Sequence, residues 1–197
     1  MKKIFKAILA IGIIGAMALG FAACGGNGGS DAIAVISREE GSGTRGAFVE
    51  LTGVEVDKVD KTVVTAEISS STAVVMQTVA GNKAAIGYIS LGSLDNTVKA
   101  VKVDGVEATA DNVKNGTYPI CRPFNIATKG DLSDAAKDFI AFIQSDEGQQ
   151  VITDKGCVST GSTGAFTSSN PTGTVVIEGS SSVTPVMEKL AEAYMAL

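Results

Sequence analysis

Short apolar runs alternate along this chain with helical patterns, and this alternation constrains the fold more than any other feature of the sequence. Residues 32–36 and 84–89 are predominantly apolar runs, which are typical of strands buried on both faces of a sheet. The clearest helical pattern starts at Ser133, where apolar residues repeat with helical spacing on one face. Strands that alternate with helices predict an α/β fold.

Weaker patterns predict the remaining elements. Helical patterns cover residues 44–51, 73–79, 146–154 and 185–197, and strand-like patterns cover residues 98–103, 118–127 and 174–177. Asp104-Gly105 is a pair typical of a hairpin turn, so we expect the chain to reverse direction there. Residues 69–71 are all serine and precede a helical pattern, and Ser133 precedes another, so we expect serine caps at both.

Composition excludes several classes of function. The chain has no histidine, so it contains neither a Ser-His-Asp or Cys-His catalytic pair nor an imidazole metal site. It has no tryptophan and only 5% aromatic residues, which argues against stacking platforms for bases or sugars. Without Lys2, Lys3 and Lys6 of the predicted leader, 13 of the 16 basic residues remain against 21 acidic ones, a net charge of −8. Such a chain has no bulk attraction to nucleic acid or anionic lipid.

The N-terminus has the pattern of an export signal. Three lysines precede the uncharged run 7–23, and the run ends in Phe21-Ala22-Ala23-Cys24, which resembles a bacterial lipobox. We therefore expect a lipoprotein signal peptide at residues 1–23 and lipidation of Cys24, which anchors the chain to the extracytoplasmic face of the cell membrane. Residues 24–31 are rich in glycine and predict a flexible tether. The alternative is an ordinary secretory signal with an incidental cysteine.

Two further cysteines, Cys121 and Cys157, follow in the body of the chain. In an exported protein they form one disulfide or stay as buried unpaired thiols, and the sequence leaves both alternatives open. Neither cysteine has a CxxC neighbour or another spacing typical of a metal site. The sequence therefore predicts no metal and no cofactor.

The loop at residues 37–45, SREEGSGTR, follows a predicted buried strand and opens a predicted helix. A helix N-terminus offers unpaired N–H groups and a positive dipole end, so it attracts anions. Ser42 and Thr44 add hydroxyl donors, Gly43 permits close approach of the backbone, and Arg38 offers a planar fork to two oxygens. We expect one of the two neighbouring carboxylates, Glu39 or Glu40, to orient the guanidinium, and we favour Glu40. The alternative is a solvent-exposed turn with an ordinary N-cap.

A second loop, at residues 179–185, repeats this arrangement of strand, hydroxyl groups and helix. Thr184 has the character of an N-cap, and Pro185 suits the first helical position. Serine-rich caps are common, so this loop alone is weak evidence for a site. Two such loops in one exported chain are more informative.

These residues carry a resemblance to a known family. The stretches SREEGSGTRGAF and GSSSVTPVMEKLAEAY, with AAIGYISL and Arg122-Pro123-Phe124, resemble the phosphate-binding protein (PstS) family of bacterial phosphate ABC transporters. The resemblance implies a two-lobed, periplasmic-binding-protein-like fold of the Venus-flytrap type (type II), phosphate as the ligand, and permease subunits as partners. It also implies a set of phosphate-binding residues: Arg38, Ser42, Gly43, Thr44, Ser182, the backbone N–H of Val183, and Thr184.

The chain departs from the family pattern in two ways. The two loops occur in the reverse of the family's usual order, and most of one lobe is missing, including the aspartate that accepts a proton from the bound phosphate. We therefore expect one phosphate-binding lobe at residues 32–165, a linker at 166–173, and the incomplete start of a second lobe at 174–197. The C-terminal helix of such a fragment is expected to expose Val186, Met187, Leu190 and Tyr194 as an apolar patch, unless another chain or a missing segment covers it.

Three other functions compete with phosphate capture. The first is binding of another oxyanion, such as sulfate or molybdate, and the second is a surface sensor that has lost transport. The third is a hydrolase that uses Ser42 or a serine among residues 180–182. Without histidine, such an enzyme needs a lysine as its base, and no lysine lies near Ser42 in sequence. We therefore expect a binding protein rather than an enzyme.

Overall fold

Three short parallel strands form the sheet on which the first loop is built. The computed structural model describes residues 32–197, so the predicted signal peptide, Cys24 and the predicted tether lie outside the described residues. The described residues contain five strands in all: β1 (Ala34–Arg38), β2 (Glu55–Val56), β3 (Val59–Asp60), β4 (Glu67–Ser69) and β5 (Ala85–Gly87). The parallel sheet has the order β4-β1-β5, and β2 and β3 form a separate antiparallel ribbon.

Helices connect and follow these strands, which confirms the α/β class. They are α1 (Gly43–Leu51), α2 (Thr72–Gly81), α3 (Ala110–Lys114), α4 (Asp134–Gln144), α5 (Asp146–Asp154) and α6 (Thr184–Met195), with a 3₁₀ turn at Leu91–Ser93. Serines cap several of them: the side chain of Ser71 accepts from the N–H of Val74, and that of Ser133 accepts from the N–H of Ala136. Both predicted caps are confirmed. No helix within residues 32–197 combines the length and hydropathy needed to cross a bilayer.

Two of the predicted strands do not form. Residues 118–127 and 174–177 are irregular, and Val176 is 81% exposed. A strand requires a neighbour for its N–H and C=O groups, and β-branched residues alone do not supply one. The run at 98–103 contributes only a bridge between Val103 and Val106, around a turn in which Asp104 has φ 50°. The predicted turn is confirmed.

The C-terminal helix α6 packs against α4 and α5. Val186 and Leu190 are buried in a cluster with Phe139 and Phe142, and the ring of Tyr194 meets that of Phe139 edge-on at 5.1 Å between centroids. The expectation that α6 exposes an apolar patch around Val186 and Leu190 is therefore wrong. The amphipathic face of α4, which the sequence identified, supplies the surface that covers them.

A buried carboxylate also fastens α6 to α4. Asp138 accepts hydrogen bonds from the Tyr194 hydroxyl, the Ser168 hydroxyl, and both the N–H and the hydroxyl of Ser169, each at 2.8 Å. These donors stabilise the charged form, so the pKa of Asp138 falls to about 2, with the backbone N–H of Ser169 as the largest cause.

We expect Asp138→Asn to lower the Tm by about 5 °C or more at neutral pH, because an amide cannot accept from all four donors. The folded pKa of about 2 lies below the ordinary value of 3.8, so this contribution is present above pH 3.8 and is lost as the pH falls toward 2. Thermal unfolding followed by circular dichroism at several pH values measures both effects. Asp131→Asn, at an exposed position, is the control. Equal Tm values for the two variants would contradict this role.

Candidate anion-binding site

Arg38 is the centre of the candidate site. It ends strand β1 and its side chain is fully buried. The carboxyl end of a parallel strand is where ligands bind in open α/β sheets. The neighbouring strand β4 ends beside it, and the Arg38 Nε donates to the Ser69 carbonyl oxygen at 3.1 Å. The sheet order β4-β1-β5 therefore brings Ser69, 31 residues away in sequence, to the same point.

Glu39, and not Glu40, holds the guanidinium. The Arg38 Nε and Nη2 donate to the two Glu39 carboxylate oxygens, both at 2.9 Å, whereas Glu40 is exposed. This forked hydrogen bond is the largest cause that lowers the pKa of Glu39 below its ordinary value. The prediction that Glu40 orients Arg38 is therefore wrong, although the expectation of a neighbouring carboxylate partner is met by Glu39.

Hydroxyl groups surround the other edge of the fork. The Arg38 Nη2 donates to Ser181 Oγ at 2.9 Å, and Nη1 donates to Thr72 Oγ1 at 3.2 Å and to Ser182 Oγ at 3.4 Å. The hydroxyls of Thr44 and Ser182 are in contact. The structure thus joins the two predicted loops and brings together Arg38, Thr44 and Ser182.

The N-terminus of α1 lies beside this cluster. Ser42 is its N-cap and accepts a hydrogen bond from the N–H of Arg45. The N–H groups of Gly43 and Thr44 belong to the first turn of the helix, where N–H groups have no acceptor inside the helix. Gly41 precedes the cap with φ 82°, a left-handed conformation that favours glycine. This turn connects the carboxyl end of β1 to the start of α1.

Val183 and Thr184 occupy other places than the sequence suggested. The N–H of Val183 donates to the Ser180 carbonyl at 2.9 Å, inside its own loop. Thr184 is exposed and is the first residue of α6, whose N-cap is Val183, so the prediction of Thr184 as N-cap is wrong. Pro185 stands at the second helical position, where its missing N–H still costs nothing. Participation of Val183 and Thr184 in anion binding stays a prediction.

Arg45 and Tyr88 support the first loop. The Arg45 Nη1 donates to the Arg38 carbonyl at 2.8 Å, and its Nε donates to the Asp60 carboxylate at 2.7 Å. The Tyr88 hydroxyl accepts from the Arg38 N–H at 3.1 Å, and its ring stacks on Phe48 of α1 with centroids 4.1 Å apart. Tyr88 therefore ties strand β1 to helix α1.

Sequence reasoning missed three contributors to this cluster: Ser69, Thr72 and Ser181. The sequence could have indicated Ser181, because it lies in the second loop beside Ser182. The run of serines at 69–71 indicated only a helix cap.

The charges near the fork cancel in pairs. Arg38 is neutralised by Glu39, and Arg45 by Asp60. The remaining groups are hydroxyls and helix N–H groups, which stabilise an oxyanion without a net positive field.

The two cysteines take no part in this cluster. Cys121 is exposed and Cys157 is half-buried, and both are free thiols. Burial raises the pKa of Cys157, so its thiol stays protonated at neutral pH.

Comparison with known proteins places the chain among substrate-binding proteins. A family model described as "PBP superfamily domain" matches residues 2–147. The "Phosphate-binding protein PstS 2" of Streptococcus pneumoniae serotype 4 is 48% identical over 201 residues, covering 96% of this chain and 69% of that relative. A match of that extent spans the positions of both loops in this chain.

Two solved structures are also similar. The crystal structure of a phosphate ABC transporter, phosphate-binding protein from Streptococcus pneumoniae has a TM-score of 0.66 and 50% identity, covering 83% of this chain and 66% of that one. A protein from Clostridium perfringens, described as a phosphate ABC transporter substrate-binding protein with bound phosphate, has a TM-score of 0.60 and 43% identity, covering 65% and 52%. The chain thus spans about two thirds or less of these two structures.

Proposed function

The chain belongs to the phosphate-binding protein (PstS) family of the PBP superfamily, and on this basis we propose that it captures inorganic phosphate outside the cytoplasm for an ABC importer. The permease subunits of that importer are the proposed partners. The proposed anchor is a lipid on Cys24, which would hold the protein at the extracytoplasmic face of the cell membrane. Capture and delivery involve no bond cleavage, so the protein acts as a binder and not as an enzyme.

One observation supports phosphate capture most strongly. The buried fork of Arg38 faces hydroxyls from both loops beside the N-terminus of α1. Two oxygens of a phosphate match the spacing of the guanidinium Nη atoms, and helix N–H groups and hydroxyls complete its coordination. The residues proposed to bind it are those that the resemblance implies: Arg38, Ser42, Gly43, Thr44, Ser182, Val183 and Thr184.

Local donors explain how an acidic protein holds an anion. The chain is acidic overall, but the pairs Arg38–Glu39 and Arg45–Asp60 leave the site close to neutral. Hydrogen bonds in a desolvated site are stronger than the same bonds in water, so neutral donors suffice. The anion is therefore recognised by direct hydrogen bonds and not by long-range attraction.

A second candidate is capture of another tetrahedral oxyanion, such as sulfate. The observation that favours it is the orientation of Glu39, whose two oxygens both accept from Arg38. The hydrogen bond from Arg38 lowers the pKa of Glu39, so this carboxylate is a weaker acceptor for the proton of hydrogen phosphate. Discrimination against sulfate depends on such an acceptor, because sulfate has no proton to donate and leaves it unpaired.

Isothermal titration of the purified chain with phosphate and then with sulfate separates the two candidates. We expect phosphate to bind with a Kd of about 1 µM or tighter, the range in which a site of several charge-assisted hydrogen bonds operates. Equal affinity for sulfate would favour the broader oxyanion binder over phosphate capture. The absence of binding heat with either anion would contradict both functions.

A further inference from the structure

The Thr72 hydroxyl lies within hydrogen-bond distance of the Arg38 guanidinium, and it is not the cap of its own helix. It is the first residue of α2, and its side chain is buried. The cap of α2 is Ser71, whose hydroxyl already accepts from the N–H of Val74. The Thr72 hydroxyl instead contacts Arg38 Nη1 at 3.2 Å and Ser181 Oγ at 3.2 Å. It is therefore directed at the anion-binding site and not at its own helix.

The serine hydroxyls indicate where phosphate oxygens would lie. Ser181 Oγ and Ser182 Oγ accept from Nη2 and Nη1 of Arg38, which are the two atoms that a bidentate oxyanion uses. A phosphate bound to this edge places one oxygen close to the present position of Ser181 Oγ. That position is within hydrogen-bond distance of Thr72 Oγ1.

The Thr72 hydroxyl is able to donate a hydrogen bond to a ligand oxygen. A threonine hydroxyl has one proton to donate and two lone pairs that accept. Because Thr72 Oγ1 accepts from Arg38 Nη1, its own proton is free to point toward the position of Ser181 Oγ. The backbone of Thr72 is also fixed, because α2 packs through Val75, which is 1% exposed.

We propose that Thr72 is a further phosphate-binding residue, whose hydroxyl donates to the phosphate oxygen held by Arg38 Nη2. This rests on the proposed function, since it assigns one more donor to the same site. It also extends the site to α2, an element that neither loop motif includes. The site then receives groups from the starts of α1 and α2 together with the second loop.

The test compares two substitutions at one position. Thr72→Val has nearly the same shape as threonine and lacks the hydroxyl, whereas Thr72→Ser keeps it. We expect isothermal titration with inorganic phosphate to show affinity about tenfold weaker for Thr72→Val and within about threefold of wild type for Thr72→Ser. Thr78→Val, the same change farther along α2, is the matched control and should bind like wild type.

The outcomes separate this proposal from the function on which it rests. Wild-type affinity in a folded Thr72→Val protein, checked by circular dichroism, would overturn the role of Thr72 and leave phosphate capture intact. Equal weakening in Thr72→Val and Thr72→Ser would also overturn it, because packing and not the hydroxyl would then be responsible. A wild-type chain that does not bind phosphate would contradict both proposals.

Discussion

Replacing Arg38 with alanine is expected to weaken phosphate binding by about 2 kcal/mol or more, which is about thirtyfold in Kd. The substitution removes the forked donor that ends β1 and leaves Thr72 and Ser181 without the group that orients them. Isothermal titration with phosphate measures the loss. Unchanged affinity would show that the site lies elsewhere in the molecule.

Two further variants separate the geometry of Arg38 from its charge and from nonspecific effects. Arg38→Lys keeps the positive charge but loses the planar fork, so we expect it to recover only a small part of the affinity. Arg122→Ala removes an exposed arginine that pairs with Glu50 and should bind like wild type. Full recovery in Arg38→Lys would contradict the bidentate arrangement proposed here.

Replacing Gly148 with alanine is expected to lower the free energy of unfolding by about 3 kcal/mol or more. A Cβ atom at this position would overlap the Phe142 carbonyl oxygen and lie 2.8 Å from Ile143 Cα. These are backbone atoms of α4, so relief requires α4 and α5 to separate. The Ser145 hydroxyl donates to the Phe142 carbonyl and accepts from the Gly148 N–H. Separation of the two helices would break these hydrogen bonds as well.

Chemical denaturation with urea measures this effect, and Gly46 supplies its control. Gly46 lies inside α1, and a Cβ atom there would meet nothing within 4 Å beyond its own helix backbone and chain neighbours. Gly46→Ala should therefore stabilise the protein by about 0.5–1 kcal/mol. Equal effects of the two substitutions would show that helix propensity alone, and not the close contact of α4 and α5, governs Gly148.

Helix positions were the most predictable part of the fold. Their signals are local: Ser133 and Ser71 cap helices close to where the sequence placed them. Strands were less predictable because each needs a partner, and residues 174–177 have strand-like composition but find none within the described chain. Sequence patterns report the tendency of a segment but not the presence of its neighbour.

The residues of the candidate site show the same difference between local signals, which the sequence reveals, and distant neighbours, which it does not. The first loop and Arg38 were identified from a strand, a glycine-rich turn and a helix start that are contiguous in sequence. Thr72 and Ser69 were not, because the pairing of β4 with β1 brings them to Arg38 from more than 30 residues away. Strand alternation places residues 38 and 40 on the same side and so favours Glu40, but β1 ends at Arg38 and the alternation does not continue into the loop.

The serine contacts of Arg38 have a consequence for the turnover of a carrier. Every buried side-chain nitrogen and oxygen in residues 32–197 has a hydrogen-bond partner within the chain, and for Arg38 these partners include Ser181 and Ser182. Glu39 neutralises the buried Arg38, so the serine hydroxyls supply hydrogen-bond partners for the guanidinium and not its counter-charge. Under the proposed function, a bound anion replaces these hydroxyls at the guanidinium. The protein's own serines can then restore the same hydrogen bonds when the anion leaves.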